Sequence, residues 1–526
     1  MNIFSYFKNV IIACLEELQK SGYLPTTCDF TKVTAEPPRE KTHGHIATNA
    51  AMILAKQANQ QPQDIAQHLK NLLLKNPDIA SCEIAGPGFL NIHLSSSFIT
   101  SQLKHILEAG THYGDSTLGQ GIKVNIEYVS TNPTGPIHIG HCRGAIFGDV
   151  LANLLKKTGY ETVKEYYIND AGTQADQIAR SAYARYCQAL GYKDVELGDY
   201  PGEYLISVGE TLAQKYQDKF IHQDESVWLE PIRTFTIDAM MDLIRQDLNK
   251  LNIKHDVFSS ERALVNQGAV EVVMAFFKEK GLVYTGILDA PKGKLPDDWE
   301  PRPQELFKST LFGDDIDRPL KKSDGSWTYF ATDIAYHRDK IKRGFTRLIN
   351  VWGADHGGYV KRLSAAVDAL TEKKIPLEVK LCQMVKFMDD GEAFKMSKRA
   401  GTFVSVSEVV ERVGTDVLRF MMMTRKNDAP LDFDFAKVIE QSKDNPVFYV
   451  QYAHARCYSI RRHAQELFPD LALHPQDLAK SDITLLTNVA EQEMILLLAH
   501  WPRQVEIAAL TSEPHRLAYY LYDVAS

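Results

Sequence analysis

The chain of 526 residues is poor in cysteine: it has seven, Cys14, Cys28, Cys82, Cys142, Cys187, Cys382 and Cys457, and no two form C-x-x-C. A disulfide framework and a cysteine-type structural zinc site are therefore not expected, and a reducing cytoplasm is the expected compartment. No apolar run reaches the ~18–20 residues that a membrane helix needs. The apolar stretch from Val10 to Leu15 is short and runs into Glu16-Glu17 without a small-residue cleavage site, so a secretory leader is not expected. Net positive charge is also lacking: 59 Lys and Arg against 67 Asp and Glu leave −8. No global basic field announces nucleic acid, although a local patch would suffice. Internal repeats and low-complexity tracts are missing as well. What is present, 44% hydrophobic and 24% charged residues, is the composition of a globular protein. The length suits about three to four domains.

Phe7, Val10, Ile11, Cys14, Leu15 and Leu18 follow helical spacing, so the chain opens with an amphipathic helix. Residues 47–75 read as helices, and Ile84 to Leu94 as a turn followed by an alternating strand. Residues 1–116 are expected to form a small α+β module, with a Gly-, Ser- and Thr-bearing linker over 110–121. Val124, Ile126 and Tyr128 then alternate in a strand. A turn-rich stretch from Ser130 to Pro136 precedes a helix face of Phe147, Val150, Leu151, Leu154 and Leu155, with Gly159 suited to its C-cap. A strand at Val163 to Ile168 and another helix follow. This rhythm implies parallel βαβ units. It is lost over about 190–300 and returns at Arg347 to Trp352, followed by a helix and a strand over Leu377 to Val385. The expectation is one α/β domain, 117–407, interrupted by an insertion. From 408 to 526 the pattern is helical, without a strand signal.

Two motifs carry chemistry. His138-Ile139-Gly140-His141 follows a strand and turn and opens a helix. Its i, i+3 spacing puts both imidazoles on one face, Gly140 lets a ligand approach the backbone, and the helix N-terminus suits a phosphate. The carboxyl edge of a parallel sheet is where ligands bind in such folds. Lys395-Met396-Ser397-Lys398-Arg399 follows the turn Asp389-Asp390-Gly391 and offers three cations to a polyphosphate. Taken singly, the first reads equally as turn histidines acting as caps and the second as a solvated basic loop.

Together, one motif in each half of a split α/β domain, they resemble the HIGH and KMSK signatures of class I aminoacyl-tRNA synthetases. Glu127 to Pro136, Tyr167 to Gln174, Tyr329 to Asp333, Gly353 to Tyr359, Leu431 to Asp434 and Asn445 to Arg456 narrow the resemblance to the bacterial arginyl-tRNA synthetases. The stretch His43 to Asn49 is similar to that family's extra N-terminal tRNA-binding domain. The resemblance covers essentially the whole chain. It implies a Rossmann-type catalytic domain with a parallel sheet, an N-terminal α+β domain (1–116) and a C-terminal all-α connective and anticodon-binding bundle (408–526).

The family reaction joins L-arginine to tRNA(Arg) through an arginyl-adenylate, with ATP as co-substrate and Mg2+ on its phosphates. By that resemblance His138 and His141 serve the α-phosphate region, and Lys395 and Lys398 the leaving pyrophosphate, assisted by Ser397. Many arginyl enzymes with a degenerate KMSK carry a compensating lysine three residues before the first HIGH histidine; here that position is Gly135, and KMSK is intact. Gly140, Gly353, Asp355 and His356 are implied on the nucleotide side, with the backbone of Met384 and Val385 at the adenine. A guanidinium is planar and always charged, so its matching partner is a carboxylate. The resemblance supplies Asp333 and Tyr329 as side-chain readers, and Glu127 and Asn132 for the ammonium and carboxylate end. Taken singly, Asp333 reads as a cap, Tyr329 as a core aromatic and Glu127 as a strand-edge charge. Tyr449, Tyr452, His454 and Arg456 are candidates for stacking on and contacting unpaired bases, or equally for a helical core. Acidic residues outnumber basic ones from 441 to 526, so any RNA contact there is local.

The helical face Leu517, Tyr520, Leu521 and Val524 is still running at Ser526, which reads as a bundle cut short. The family resemblance implies a monomer that needs its tRNA even for activation, and no membrane partner. Alternatives are another class I synthetase, a smaller H-x-G-H nucleotidyltransferase, or a non-catalytic RNA-binding relative. The cysteinyl type would need a zinc cluster, the nucleotidyltransferase would not need the helical tail, and a non-catalytic relative is expected to lose HIGH or KMSK.

Overall fold

A computed structural model describes residues 2–192, 194–288, 302–393 and 404–526 of the protein. They divide into two compact units. One contains residues 1–118, 449–512 and 519–526; the other contains 119–448 and 513–518.

The first unit opens with the helix Ile3–Lys20, whose N-cap Asn2 accepts from the amides of Phe4 and Ser5. Its apolar stripe of Ile3, Phe7, Ile11, Leu15 and Leu18 is buried. A four-stranded antiparallel sheet runs in the order Ala35–Glu36, Ile46–Thr48, Phe89–Leu94 and Ile79–Ala85. The helices Ala50–Ala58 and Pro62–Leu73 complete this module. Ile495 and Ala499, from the helix Val489–Ala499, belong to the same buried core as Ile3, Phe7 and Ile92. Asn2 Nδ2 donates to Glu506 Oε2 at 2.6 Å and Trp501 Nε1 to the Tyr113 carbonyl at 3.0 Å. The α+β module and the C-terminal helices thus share one core, because a small sheet covered by few helices buries too little apolar surface alone.

The second unit is built on a five-stranded, wholly parallel sheet in the order Leu377–Cys382, Arg347–Gly353, Lys123–Glu127, Glu161–Ile168 and Val257–Ser260. The chain starts in the centre, winds out to Val257–Ser260, and returns to the other side of the first strand. The order therefore reverses between Lys123–Glu127 and Arg347–Gly353, and a crevice opens at their carboxyl ends. Val124 and Ile126 are fully buried, as expected of a central parallel strand. The helix Cys142–Lys157 follows the first strand and Tyr329–Lys342 precedes the returning one. Helices fill the crossover between Glu161–Ile168 and Val257–Ser260, the longest being Glu225–Lys250, and Glu261–Asn266 and Ala269–Glu279 follow the last strand. A three-stranded antiparallel sheet joins Val283–Gly286, Gln304–Phe307 and Arg318–Pro319.

Three expectations need correction. The stretch over about 190–300, expected to be an insertion without the strand–helix rhythm, contributes Val257–Ser260 to the parallel sheet; four residues after a long helical crossover are too few for a periodic signal. The strand over Leu377 to Val385 is two strands: Leu377–Cys382 belongs to the parallel sheet, and Val385–Asp389 pairs elsewhere. The break has a local cause, since the Gln383 amide donates to the Asn427 carbonyl at 2.7 Å and the Gln383 carbonyl accepts from Arg143. The region from 408 is not purely helical either. Leu431–Asp434 is a strand, parallel to Val385–Asp389, with Phe433 fully buried.

Candidate active site

His138 has extended backbone and caps a short 3-10 turn, Ile139–His141, by accepting from the Gly140 amide on Nδ1 at 3.1 Å. His141 continues directly into the helix Cys142–Lys157, and the two imidazoles stack with centroids 3.8 Å apart. A Cβ on Gly140 would come within 2.8 Å of the His138 ring, so this position needs glycine. The result is a helix N-terminus with two imidazoles in front of it at the sheet crevice, an arrangement suited to a phosphate. Gly135 has a positive φ of 152°, and a Cβ there would meet Tyr204 at 3.0 Å. A lysine at 135 would be strained and would have to displace the Tyr204 ring.

Lys395, Ser397 and Lys398 lie outside the described residues. Their flanks are well placed. Upstream, Glu392–Ala393 pairs with Val385–Asp389, and Asp434 accepts from the amides of Asp390 and Gly391 at 3.2 and 3.0 Å. The last aspartate of Leu-Asp-Phe-Asp therefore shapes the turn that leads into the basic segment. Downstream, Val404 and Val406 bracket a backbone bridge between His138 and Ser405. The Ile139 amide donates to the Val404 carbonyl and the Val406 amide to the Ile137 carbonyl, both at 3.1 Å. The exit of the basic segment is thus fastened to the histidine turn itself.

A cluster of charges fills the crevice beside it. Asp333, in the second turn of Tyr329–Lys342, is enclosed on most sides yet still partly open to solvent. Burial pushes its carboxyl up to about 7; Glu127 and Glu261 push the same way, while the Tyr359 hydroxyl, donating to Oδ2 at 2.6 Å, and the Lys340 cation hold it down. Glu261 is buried; its Oε1 accepts from Thr332 at 2.9 Å, and its Oε2 has no hydrogen-bond partner among the described residues. Burial raises its pKa, with Asp170 adding to the effect. Such a carboxylate oxygen, dehydrated and unpaired, asks for a cation. Asp170, from the Tyr167–Gln174 stretch, accepts from Ser260 and the Arg262 amide and so fixes the turn that presents Glu261.

Glu127 ends the central strand and is buried. Its Oε2 accepts from Lys340 Nζ at 2.7 Å and its Oε1 from Ser130 at 3.1 Å. Lys340 is fully buried and also donates to Asn350 Oδ1 at 3.2 Å. Asn350 contacts His337, whose imidazole is pushed down to about 3 by burial and by Lys340. Each Glu127 oxygen keeps a second lone pair, but the charge is largely spoken for. Between Glu127 and Asn132 the backbone takes positive φ at Val129 (71°) and Ser130 (39°). A β-branched residue there is strained. Neighbours enforce it: Tyr128 is fully buried against Gly148 and packs on the His255 ring at a tilt, and Ser130 Oγ accepts from the Tyr167 amide. Asn132 is exposed and donates to Gln174 at 2.7 Å. Tyr329 is 56% exposed, its hydroxyl against Gly172.

On the other side of the crevice Gly353 ends the returning strand, and Asp355 and His356 follow in a 3-10 turn, both exposed, with a His356 Nε2–Asp355 Oδ2 contact of 3.6 Å. Met384 is 65% exposed and Val385 opens its strand. The buried guanidinium of Arg143, two residues past the histidine turn, donates to the carbonyls of Gln383 (3.0 Å), Lys426 (2.8 Å) and Ala429 (2.7 Å). It ties the start of the Cys142–Lys157 helix to the Gln383 carbonyl, next in the chain to Met384. In the other unit, Tyr452, His454 and Arg456 stand exposed on the helix Pro446–Leu467, and Tyr449 packs on Tyr522 at 5.4 Å.

Glu261, Lys340, Tyr359 and Arg143 were not singled out from sequence. Tyr359 lies inside the Gly353–Tyr359 stretch and Arg143 two residues after His141, so adjacency to motifs was the available signal; Glu261 and Lys340 carry none. Among the described residues no group of three or more His, Cys, Asp or Glu could hold a metal ion, and no helix is long and apolar enough to cross a membrane.

Comparison with known proteins matches residues 5–94 to the arginyl tRNA synthetase N terminal domain, 102–432 to the class I (R) tRNA synthetase catalytic domain, and 450–526 to the DALR anticodon binding domain. Arginine–tRNA ligases of Ruegeria pomeroyi and Paracoccus denitrificans are 56% and 54% identical over all of this chain, which covers 90% of each. A solved structure described as an arginyl-tRNA synthetase from Campylobacter jejuni is 31% identical with a TM-score of 0.71, over 82% of this chain and 90% of that one. The Thermus thermophilus arginyl-tRNA synthetase, 20% identical over 98% of this chain and 90% of that one, has the same fold with a TM-score of 0.71.

Proposed function

The chain belongs to the arginyl-tRNA synthetases of class I and is an arginine–tRNA ligase, and on that premise we propose which of its residues carry the reaction. In the first step the arginine carboxylate forms a bond to the α-phosphorus of ATP, and the bond to the β-phosphate oxygen breaks, giving arginyl-adenylate and pyrophosphate. The attacking carboxylate is already ionised at neutral pH. The enzyme's work is therefore alignment and stabilisation of charge on the leaving group. His138 and His141, with the helix N-terminus and Gly140, hold the α-phosphate region. Lys395, Lys398 and Ser397 take the β- and γ-phosphates. Gly353, Asp355 and His356 serve the ribose side, and the Met384–Val385 backbone the adenine. Mg2+ arrives on the phosphates as part of the nucleotide substrate. In the second step a hydroxyl of the tRNA's terminal ribose attacks the arginyl carbonyl carbon and AMP leaves.

Asp333 and Glu261 together read the guanidinium, with Tyr329 beside them. The observation that carries this is the unpaired buried oxygen of Glu261 next to a carboxyl held near neutrality. A planar cation satisfies both. Asn132 and the remaining capacity of Glu127 hold the ammonium and carboxylate end. Tyr449, Tyr452, His454 and Arg456 contact the tRNA. The expected compartment is the cytoplasm and the expected assembly a monomer. The domain reading is 1–116 for the N-terminal tRNA-binding module, 117–407 for catalysis and 408–526 for the anticodon side.

The test is ATP–pyrophosphate exchange with each amino acid in turn, with and without tRNA. Exchange with arginine alone is expected, and only when tRNA is present. Exchange with another amino acid would overturn the pocket assignment.

A further inference from the structure

The helix Glu225–Lys250 lies in the crossover between the parallel strands Glu161–Ile168 and Val257–Ser260, and no step above uses it. Its last turn nevertheless reaches the site. Asp247 is 5% exposed, and its two carboxylate oxygens go to two different places. Oδ2 accepts from the amide of Ile137 at 3.0 Å, the residue before His138. Oδ1 accepts from Ser407 Oγ at 3.1 Å, in the first turn of the helix Val406–Val413. Between those two contacts runs the backbone bridge of His138 with Ser405. The same helix end adds more fastenings to the 404–419 stretch. Lys250 Nζ donates to Ser407 Oγ at 2.5 Å, Thr415 Oγ1 to the Lys250 carbonyl at 2.7 Å, and Arg419 to the Leu251 carbonyl at 2.8 Å.

A two-stranded bridge of a single residue pair has little stability of its own. A buried carboxylate that accepts one hydrogen bond from each side of it is a clamp. Removing it would leave the Ile137 amide without its acceptor in a dry place, which the chain avoids only by moving. The segment carrying Lys395 and Lys398 is covalently joined to this clamp through Val404.

We propose that Asp247 is a positioning residue: it locks the entry of the histidine turn to the exit of the Lys395–Thr402 segment, and so sets the distance across which the two phosphate-handling motifs act on one nucleotide. The inference rests on the reading of those motifs given above. Asp247 itself touches no substrate. What it supplies is the placement that leaving-group stabilisation requires, where an error of ~1 Å can cost ~100-fold in rate.

Asp247→Ala in the full chain tests this. Arginine-dependent exchange is expected to lose 10- to 100-fold in kcat, with KM for arginine within twofold of the parent. Asp247→Asn keeps an acceptor for Ile137 and can donate to Ser407, so it is expected to retain at least a third of the activity. Hydrogen–deuterium exchange gives a readout that does not depend on activity: peptides spanning 137–141 and 404–408 are expected to exchange about tenfold faster in Asp247→Ala. Unchanged protection there would overturn the clamp whether or not the parent is active; an inactive parent with the predicted loss of protection would count against the catalytic reading alone. A kcat within twofold of an active parent, or a loss expressed only as a higher arginine KM, would also overturn it. Should Asp247→Ala not fold, Ser407→Ala, which leaves the Ile137 bond intact, is expected to lower kcat by 3- to 10-fold, and no change would overturn the proposal.

Discussion

Replacing Asp333 by asparagine isolates the electrostatic part of arginine recognition. The variant keeps the size of the side chain and an acceptor for the Tyr359 hydroxyl, and removes the charge. A hydrogen bond to a charged group is worth ~1.5–3 kcal/mol, so at pH 8 arginine should bind about 10- to 150-fold more weakly, at ~1.4 kcal/mol per factor of ten. The pH dependence is the sharper part. Burial and the charges of Glu127 and Glu261 hold the Asp333 carboxyl at about 7 in the empty site. A bound guanidinium requires the ionised form. The ionised fraction falls from about nine-tenths at pH 8 to about one-tenth at pH 6, one unit either side of that value. Arginine affinity in the parent should therefore drop about tenfold as pH falls from 8 to 6, and the gap between parent and variant should narrow by the same factor. Equilibrium dialysis with labelled arginine in the presence of ATP analogue and tRNA measures this directly, with the ATP affinity as internal control. Tyr359→Phe removes a hydrogen bond that favours the carboxylate, so its transition should move to higher pH. A parent affinity that is flat from pH 6 to 8, or an Asp333→Asn variant with the parent's slope, would refute the argument.

Lys340→Met leaves the buried Glu127 carboxylate without its cation, and breaking such a pair costs ~3–5 kcal/mol; a thermal melt should show a fall of several degrees, and an unchanged midpoint would mean that the pair contributes little. Val129→Gly relieves a left-handed backbone that costs a β-branched residue ~1–2 kcal/mol against an entropic loss of ~0.5–1 kcal/mol for glycine. The melting temperature should hold or rise while arginine KM increases, because Glu127 and Asn132 flank a looser turn. Lys395→Ala and Lys398→Ala should each lower kcat for adenylate formation by ~100- to 1000-fold, the usual cost of deleting one transition-state donor, with little change in arginine KM; a pure KM effect would place these lysines in ground-state binding.

The parts of the site legible in the sequence are those whose chemistry is local. His138, Gly140 and His141 sit within one turn, and the strand–turn–helix that presents them is written in the alternation of Val124 to Tyr128 and the helical spacing after Phe147. The parallel sheet was legible for the same reason. Glu261 was not, because its meaning depends on Thr332 and Asp333, some seventy residues away and across an antiparallel insertion. Lys340 reads as an ordinary basic residue near a helix C-terminus, and only the fold reveals that it points inward to Glu127. The single strand Leu431–Asp434 hides in a helical tail because four residues are too few for a periodic signal, and its pairing partner lies before the basic segment. The break at Gln383 and Met384 is set by Asn427 and Arg143, which no local pattern announces.

The first unit is assembled from both ends of the chain, and this has a consequence for its birth. Ile495 and Ala499 complete the core begun by Ile3 and Phe7. Roughly 330 residues separate the end of the first segment from the start of the second. At ~5–20 residues per second, a ribosome takes about 15–65 s to bridge that gap. During this interval the amino-terminal module is exposed as an unfinished surface, and the parallel sheet of the catalytic unit emerges before the surface can be closed. Folding of this enzyme cannot be strictly vectorial. The amino-terminal module should be the segment most dependent on chaperone cover during synthesis, and a ribosome stalled near residue 440 should carry a folded catalytic sheet beside an aggregation-prone amino terminus.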